Sequence, residues 1–271
     1  MKNKKLFFVF ALLFWGCINI FSQDVKLLDI EGLEIPLCRQ TRDMYADAED
    51  HEVHQYTGYA LCYRESYEIA EWVAYCLTRE ELQNKVAERT NDFREDTKIT
   101  SVSALSFDYS GSGFDRGHLA PAADMKWSFK AMSDCFLMSN MAPQRPEFNQ
   151  FIWNDLENKV RSWAYKYGAV YVVTGPVLEK PAKYYQQIGK STKIAVPEYF
   201  YKVLLAQKNN SSKTIIARAF IMPNKKCDKK IADYAVTIDQ LEERTGLDFF
   251  SLLPDDIENR IERKINTEDW R

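Results

Sequence analysis

Two strand-like segments joined by a short polar turn constrain the fold of this chain more than any other feature. Residues 199–206 (YFYKVLLA) and 213–222 (KTIIARAFIM) are rich in aromatic and β-branched side chains. The turn between them contains Asn209-Asn210-Ser211-Ser212. Such segments around a polar turn are typical of adjacent strands, so we expect an antiparallel sheet.

The remaining segments place further strands and helices around that sheet. Residues 149–167 carry a helical pattern that stops at Gly168, a natural helix end. Thr237-Ile238-Asp239-Gln240 fits a capping box that opens a helix ending at Gly246. The other predicted elements are strands at 56–63, 72–77, 136–139 and 169–174, and helices within 80–98, at 128–134 and at 254–264. Because these elements are mixed without a βαβ repeat, the predicted fold class is α+β.

The N-terminus predicts a targeting segment rather than part of the fold. Met1-Lys2-Asn3-Lys4-Lys5 is basic, and residues 6–15 are an unbroken apolar run. This pattern predicts a signal peptide over residues 1–23 and export to the periplasm or the medium. An uncleaved anchor is the alternative, although the run is short for a membrane span of about 20 residues. Lipidation at Cys17 is less favoured, because Trp15 is bulky and apolar residues follow the cysteine.

The net charge is unusual for a nucleic-acid-binding protein. The formal charge is −3, and removal of residues 1–23 takes away three lysines and no acids, which gives −3 − 3 = −6. Proteins that bind nucleic acids are generally basic. A local basic cleft or a bound cation is therefore required if phosphates are the ligand.

The cysteines leave several pairings open. Five remain after the predicted leader: Cys38, Cys62, Cys76, Cys135 and Cys227. No CxxC pair occurs, which disfavours a zinc site. Cys62 and Cys76 lie on neighbouring predicted strands and could face each other, whereas the alternative is that all five are buried free thiols.

Three histidines are present, and one has a distinctive setting. His51 and His54 follow an acidic stretch and are expected to be solvated. His118 lies between the glycine-serine loop 109–113 and an apolar segment, next to Asp115 and Arg116. Histidine is the side chain best suited to proton transfer near neutral pH, but a lone histidine is more often structural.

The predicted helix at 149–167 places polar groups along the edge of its apolar face. Asn149, Trp153, Glu157 and Arg161 recur every four residues and share one stripe. The stripe offers an amide, a carboxylate and a guanidinium. Taken alone, the stripe is better explained as a solvated face with a weak Glu157–Arg161 pair.

Taken together, these segments resemble the DNA/RNA non-specific endonucleases of the ββα-metal (His-Me finger) type, which include mitochondrial endonuclease G and bacterial secreted nucleases. The resemblance covers roughly residues 55–255 of a single predicted domain at 24–271. It runs through Asp92-Phe93-Arg94-Glu95-Asp96, 109–121 (YSGSGFDRGHLAP), 137–144 (LMSNMAPQ), Phe148-Asn149-Gln150, Trp153, Leu156, Glu157, Arg161 and Thr174-Gly175-Pro176. The implied fold is a central antiparallel sheet flanked by helices.

The resemblance also implies a role for each matching residue. His118 matches the general base, Asn149 the single protein ligand of the metal, and Glu157 the residue that holds metal-bound water. Arg161 matches a phosphate-contacting arginine, and Arg116 is expected to assist catalysis electrostatically. The implied supporting residues are Asp115 and Asn140, and the substrate-binding arginine upstream is either Arg89 or Arg94.

The function implied is metal-dependent hydrolysis of DNA and RNA with little sequence specificity. Mg²⁺ is the expected cofactor, with Mn²⁺ or another divalent cation as the alternative. The expected partners are the nucleic-acid substrates, and a homodimer is left open. Two alternatives are an exported nucleic-acid-binding or uptake protein on a nuclease scaffold and an exported phosphodiesterase acting on another substrate.

Overall fold

The computed structural model describes residues 26–38, 50–101, 103–209 and 214–271. The predicted leader at 1–23 and Cys17 therefore lie outside the described residues, as does most of the polar turn at 209–212. The strands are β1 Leu37–Cys38, β2 His51–Gln55, β3 Ala60–Arg64, β4 Ile69–Thr78, β5 Asp115–His118, β6 Met141–Gln144, β7 Ala169–Pro176, β8 Gln187–Ile188, β9 Ile194–Ala195, β10 Tyr199–Gln207, β11 Ile215–Pro223, β12 Ala235–Val236 and β13 Leu247–Asp248.

A seven-stranded sheet forms the centre of the molecule. Its order is β12-β11-β10-β7-β4-β3-β2, and every neighbouring pair is antiparallel. The predicted strand pair at 199–206 and 213–222 is confirmed as β10–β11, and the strands predicted at 56–63, 72–77 and 169–174 correspond to β3, β4 and β7. The α+β fold class with an antiparallel sheet is thereby confirmed.

Helices flank the sheet and begin largely where the sequence predicts. They are α1 Arg79–Gln83, α2 Phe129–Asp134, α3 Asn154–Tyr167, α4 Ile238–Thr245 and α5 Asp255–Glu262, with a π-helical segment at Phe148–Trp153. Thr237 caps α4 through the predicted capping box, and Gly246 ends that helix in a left-handed conformation, with φ of 72°. The predicted single helix at 149–167 is therefore a π-helical segment followed by α3.

Successive side chains along the central strands point to opposite faces of the sheet and pack into two separate apolar cores. On one face, Val170 and Val172 of β7 pack in the same cluster as Leu156 and Val160 of α3. On the other face, residues such as Val173 join a cluster with side chains of α4 and α5. The period of two along each strand thus produces three layers, with α3 on one side and α4 and α5 on the other.

One of the predicted strands is wrong. Residues 136–139 do not form a strand, because Leu137 makes only an isolated bridge with Arg94 and Met138–Asn140 is a 3-10 turn. The strand begins at Met141, where β5 provides its partner. Short apolar runs do not reveal which residues will find a pairing strand.

The prediction that the two upstream histidines are solvated is also wrong. Both lie on the edge strand β2, with side-chain exposures of 9% for His51 and 24% for His54. His51 Nδ1 is 3.9 Å from a Glu71 oxygen, and His54 Nε2 is 3.0 Å from a Glu52 oxygen. The acidic neighbour of His54 is thus close to it in sequence, whereas the acidic neighbour of His51 is brought near by the packing of the strands.

The cysteines with described side chains are all free thiols: Cys62, Cys76, Cys135 and Cys227. The anticipated Cys62–Cys76 pair does not form, because Cys62 lies opposite Trp72 while Cys76 lies opposite Tyr171 on β7. Register, which the sequence left open, separates the two sulfur atoms.

Among the described residues, no helix combines the length and apolar character needed to cross a membrane.

A cluster of carboxylates gathers where α4, β13 and α5 meet. Burial, followed by the charges of Glu242, Glu258, Asp239 and Asp248, raises the pKa of Glu262 from 4.5 to about 8. Between these two values the folded chain keeps a proton that the unfolded chain releases. Stability therefore falls as the pH rises from about 4.5 to about 8.

We expect Glu262→Gln to stabilise the protein at pH 8 by about 1 kcal/mol, a figure kept small because water reaches part of the cluster. The variant remains neutral, so its unfolding free energy should also vary less between pH 5 and pH 8. Urea denaturation across that range measures both effects. Glu268→Gln, an exposed control, should leave the pH dependence unchanged. An identical pH slope for Glu262→Gln and the parent would contradict the expectation.

Candidate active site

A two-stranded ribbon, β5 with β6, carries the histidine singled out by the sequence. Its register pairs His118 with Met141 and Gly117 with Ala142. The loop before β5 turns at Gly111 and Gly113, whose φ angles of 74° and 79° are favourable for glycine. The loop thereby directs the chain straight into the strand that ends at His118.

Asn140 fixes the backbone that follows this strand. Its Nδ2 donates to the carbonyls of Ala120 at 3.0 Å and Cys135 at 2.8 Å, and its Oδ1 accepts from the Ala120 N–H at 2.9 Å. The side chain is fully buried, and both its oxygen and its nitrogen make hydrogen bonds to the backbone. The position is that of a supporting residue, out of reach of a substrate.

Gly117 is required by close packing within the ribbon. A Cβ at this position would lie 2.2 Å from Cδ and Oε1 of Gln144. Gln144 is fully buried, and both polar atoms of its side chain lack a hydrogen-bond partner among the described residues. The Gln144 side chain therefore occupies the space that any larger residue at 117 would need.

We expect Gly117→Ala to lower the free energy of unfolding by about 1–3 kcal/mol, because the added methyl overpacks this contact. Chemical denaturation measures the loss. Gln144→Ala removes the obstructing atoms, so the double variant Gly117→Ala/Gln144→Ala should recover part of the stability lost by the single glycine variant. A Gly117→Ala protein as stable as the parent would refute the packing explanation.

His118 is held between aromatic rings and lies close to two arginines. Its ring centroid is 4.9 Å from that of Phe136 and 5.7 Å from that of Phe93. Arg89 lies over Phe136 at 4.9 Å, and Arg116 lies over Phe93 at 4.2 Å. These edge-on and tilted ring contacts hold the imidazole, and both cations lie close to it.

The electrostatic surroundings keep this imidazole neutral. Burial, followed by the charges of Arg89 and Arg116, lowers the pKa of His118 from 6.5 to about 3. Its Nε2 is buried and has no hydrogen-bond partner among the described residues. A neutral, unpartnered ring nitrogen can accept a proton, as a general base must. A phosphate beside the arginines would offset their charge and raise the pKa of His118.

The π-helical segment presents Asn149 with a defined orientation. Asp115 Oδ2 accepts hydrogen bonds from Asn149 Nδ2 and Gln150 Nε2, both at 2.9 Å. A carboxylate oxygen only accepts, so it fixes the amide with its Nδ2 toward Asp115. Asn149 Oδ1 is thereby left available to a ligand.

Glu157 and Arg161 project from α3 into the same region. Arg161 donates to Asp124 Oδ1 at 2.7 Å and to Asn158 Oδ1 at 2.8 Å, while Tyr75 donates to the other Asp124 oxygen at 2.9 Å. Burial raises the pKa of Glu157, and its carboxylate makes no hydrogen bond among the described residues. The carboxylate is thus free to bind water.

Sequence reasoning missed Lys202 and Asp124. Lys202 lies on β10 with 0% exposure, and its Nζ, 4.8 Å from the Trp153 ring centroid, has no hydrogen-bond partner among the described residues. Burial lowers its pKa, which the neighbouring charges of Glu157 and Asp124 oppose. A single lysine inside the apolar run 199–206 was the available signal, since such a residue is almost never fully buried without a reason.

A cleft of about 250 Å³ brings most of the predicted residues together. The cleft is lined by Arg89, Arg116, His118, Asn149, Glu157 and Arg161. Asp115 and Asn140 support it through their hydrogen bonds to Asn149 and to the Ala120 backbone. Arg94 is elsewhere: its guanidinium donates to the Ser133 carbonyl at 2.8 Å and to Asp92 at 3.0 Å. The geometry therefore favours Arg89 for the upstream substrate arginine.

The oxygen donors of the cleft fit a hard divalent cation. Asn149 Oδ1 provides a neutral oxygen, and the Glu157 carboxylate, which makes no hydrogen bond to any described residue, provides anionic oxygens. Mg²⁺ prefers such ligands and retains several waters, so a single amide oxygen suffices as a protein ligand. The three arginines of the lining add positive charge, in contrast to the acidic chain as a whole.

Comparison with known proteins gives a consistent result. A family model described as DNA/RNA non-specific endonuclease matches residues 41–256. The chain is 42% identical over 202 residues to "Endonuclease G, mitochondrial" of Homo sapiens, covering 71% of this chain and 67% of that protein. It is 36% identical over 233 residues to "Mitochondrial nuclease" of Saccharomyces cerevisiae, covering 80% and 70%.

A solved structure supports the same relationship at the level of the fold. The crystal structure of the EndoG/EndoGI complex, described as showing the mechanism of EndoG inhibition, superposes with a TM-score of 0.71 and 32% sequence identity. The match covers 81% of this chain and 92% of that chain. The alternative of a binding or uptake protein receives no support, since these relatives are nucleases.

The predicted export to the periplasm or the medium is wrong by the same comparison. The human and budding-yeast relatives are named as mitochondrial, as is "Nuclease 1, mitochondrial" of Schizosaccharomyces pombe, which is 37% identical over 198 residues. These names place the relatives in mitochondria rather than among exported proteins. A basic stretch and an apolar run form an address that receptors read, and the folded domain carries no physical trace of its destination.

Proposed function

The chain belongs to the DNA/RNA non-specific endonuclease family and is an enzyme of that class, and we propose that it hydrolyses phosphodiester bonds of both DNA and RNA in the cleft at His118. The observation that carries the proposal is the buried Nε2 of His118, which has no hydrogen-bond partner within the described part of the chain, in a cleft that Asn149 and Glu157 also line. This combination supplies a base, a cation ligand and a water-binding carboxylate.

His118 acts as the general base in this proposal. Its Nε2 takes a proton from the attacking water, and the rings of Phe93 and Phe136 hold the imidazole in place during the transfer. As the imidazolium forms, it is stabilised by the negative charge that the substrate phosphate brings beside Arg89 and Arg116. The same charge offsets the effect of those arginines on the pKa of His118.

The arginines bind and orient the phosphate. Arg161 carries five N–H groups, and its hydrogen bonds to Asp124 and Asn158 leave donors for phosphate oxygens. Arg116 is anchored through Ser106 at 2.5 Å, and Arg89 through Asn91 at 2.7 Å. These anchors reduce the conformational freedom that the side chains would otherwise lose on binding.

A divalent cation, of which Mg²⁺ is the proposed one, would be held by Asn149 and would neutralise charge on the phosphate and on the leaving 3′-oxygen. Asp115 keeps the Asn149 amide in the required orientation. The Glu157 carboxylate holds an ordered water near that position. Phosphates are common to every nucleotide, so a cleft lined by arginines favours cleavage with little sequence specificity.

The direct test is digestion of plasmid DNA and of RNA by the full chain with a panel of divalent cations. We expect cleavage of both polymers with Mg²⁺ or Mn²⁺ and loss of activity with EDTA. Undiminished digestion in EDTA would overturn the metal-dependent mechanism. Hydrolysis of small phosphodiesters without cleavage of either polymer would overturn the proposed substrate class.

A further inference from the structure

A second hollow runs along the flank of α3, next to the catalytic cleft. We call it the lysine groove: it has a volume of about 500 Å³ and is lined by Phe151, Asp155, Lys159, Cys227, Lys229 and Lys230, among others. One wall is the π-helical segment and the start of α3. The other wall is the loop that follows β11.

The lysine groove and the cleft share a helix as their common wall. Asn149 and Gln150 line the cleft, whereas Phe151, the next residue, lines the groove. Along α3, Glu157 belongs to the cleft and Lys159 to the groove. Since consecutive helical residues are rotated by about 100°, these are neighbouring faces of one helix about 10 Å thick. A strand leaving the cleft therefore has only to pass around this helix to reach the groove.

The aromatic ring in this groove is unusually exposed. Phe151 is 65% exposed, although it lies within two residues of the cleft. Folding gains little from an apolar side chain in that position, because most of its surface stays in water. An exposed ring beside a nucleic-acid cleft provides a surface on which a base can stack.

The charges of the groove complement a phosphodiester chain. Three lysines line it against one carboxylate, that of Asp155. Lys226 is paired with Asp228 at 3.6 Å, whereas Lys229 and Lys230 form no ion pair among the described residues and are exposed. This local excess of positive charge occurs in a chain whose formal charge is −3.

We propose that the lysine groove binds one strand of the nucleic-acid substrate outside the cleft, with Phe151 stacking on an unpaired base and Lys229 and Lys230 contacting its phosphates. The proposal rests on the function proposed above, because the occupant is the continuation of the cleaved strand. A single strand is favoured over a duplex, since a base within a duplex already has its faces covered by its neighbours.

Steady-state cleavage of a 20-nucleotide single strand, compared with a dinucleotide too short to reach the groove, tests the proposal. Phe151→Ala should raise KM for the 20-mer by about tenfold, within the range of one lost stacking contact. The effect on KM for the dinucleotide should be much smaller. Phe129→Ala, which removes an aromatic ring that is 71% exposed but lies outside the groove, is the matched control.

The charge contribution is tested by salt dependence. Lys229→Glu/Lys230→Glu should reduce the slope of log KM against log salt for the 20-mer by about 1.4, from about 0.7 for each lost phosphate contact. Arg263→Glu/Lys264→Glu changes the net charge equally at another exposed pair and should leave the slope near that of the parent. If Phe151→Ala has the same KM as its control, and Lys229→Glu/Lys230→Glu the same salt slope as its control, the proposal is overturned.

Binding measured without cleavage separates the two proposals. Fluorescence anisotropy of a labelled 20-mer in EDTA should show weaker binding by Phe151→Ala than by Phe129→Ala. If that difference occurs while the parent cleaves neither substrate under any condition, the groove inference stands and the proposed function fails. If sedimentation shows that Phe151→Ala dissociates an oligomer while the affinity for the 20-mer is unchanged, the groove is an interface between copies and the inference fails.

Discussion

Replacing His118 with asparagine is expected to lower kcat for DNA cleavage by about 10²–10⁴-fold, the usual contribution of a general base. Asparagine retains polarity and a similar reach but cannot accept a proton from water near neutral pH. The effect should fall on kcat more than on KM, because the arginines that bind phosphate remain. Single-turnover cleavage of a defined oligonucleotide at saturating Mg²⁺ measures the loss.

The control is His54→Asn on the edge strand β2. His54 interacts with Glu52 and does not line the cleft, so its replacement should leave kcat near that of the parent. Thermal unfolding of both variants checks that the fold is retained. Full activity of a folded His118→Asn protein would show that another group removes the proton and that the assignment of the base is wrong.

Replacing Asn149 with alanine is expected to raise the Mg²⁺ concentration for half-maximal activity by at least about tenfold. Only the oxygen of this side chain is presented to the cleft, because Asp115 holds the amide nitrogen. Loss of that ligand removes the proposed protein bond to the cation. Asp115→Asn should also weaken cation binding by about 10–100-fold, because groups that orient a ligand commonly contribute that much.

Binding of Mn²⁺ alone, followed by electron paramagnetic resonance, checks this second expectation without relying on turnover. Asn259→Ala removes an asparagine from the exposed surface of α5 and should bind Mn²⁺ as the parent does. Strong Mn²⁺ binding and efficient cleavage at low Mg²⁺ by a folded Asn149→Ala protein would exclude Asn149 as the ligand.

Much of the architecture followed from local pattern. Thr237 and Gly246 marked both ends of α4, and the continuous apolar run over residues 169–174 marked a buried strand. These signals are local, since caps and side-chain periodicity depend on a few neighbouring residues. The strand predicted at 136–139 failed because pairing depends on a distant partner, and Met141 rather than Phe136 meets β5.

The relative orientation of Asn149 and Glu157 around the helix axis depends on the type of helix that joins them. In a regular α-helix, eight steps of 100° leave Asn149 and Glu157 about 80° apart around the axis. The π-helical segment Phe148–Trp153 rotates less per residue, because its hydrogen bonds span five residues rather than four. It brings Asn149 toward the face of Glu157, and π-turns commonly occur at functional sites.

The sequence by itself determined the types of groups that this protein brings to its chemistry: an imidazole after a glycine loop, and an amide, a carboxylate and a guanidinium on one helix. Only the tertiary structure placed Arg89 in the cleft and Arg94 outside it, placed Lys202 and Asp124 behind the cleft, and left the His118 Nε2 buried with no hydrogen-bond partner among the described residues. The physical reason is that proton affinity and phosphate binding depend on burial and on charges within a few ångströms. Those neighbours come from segments far apart in the chain.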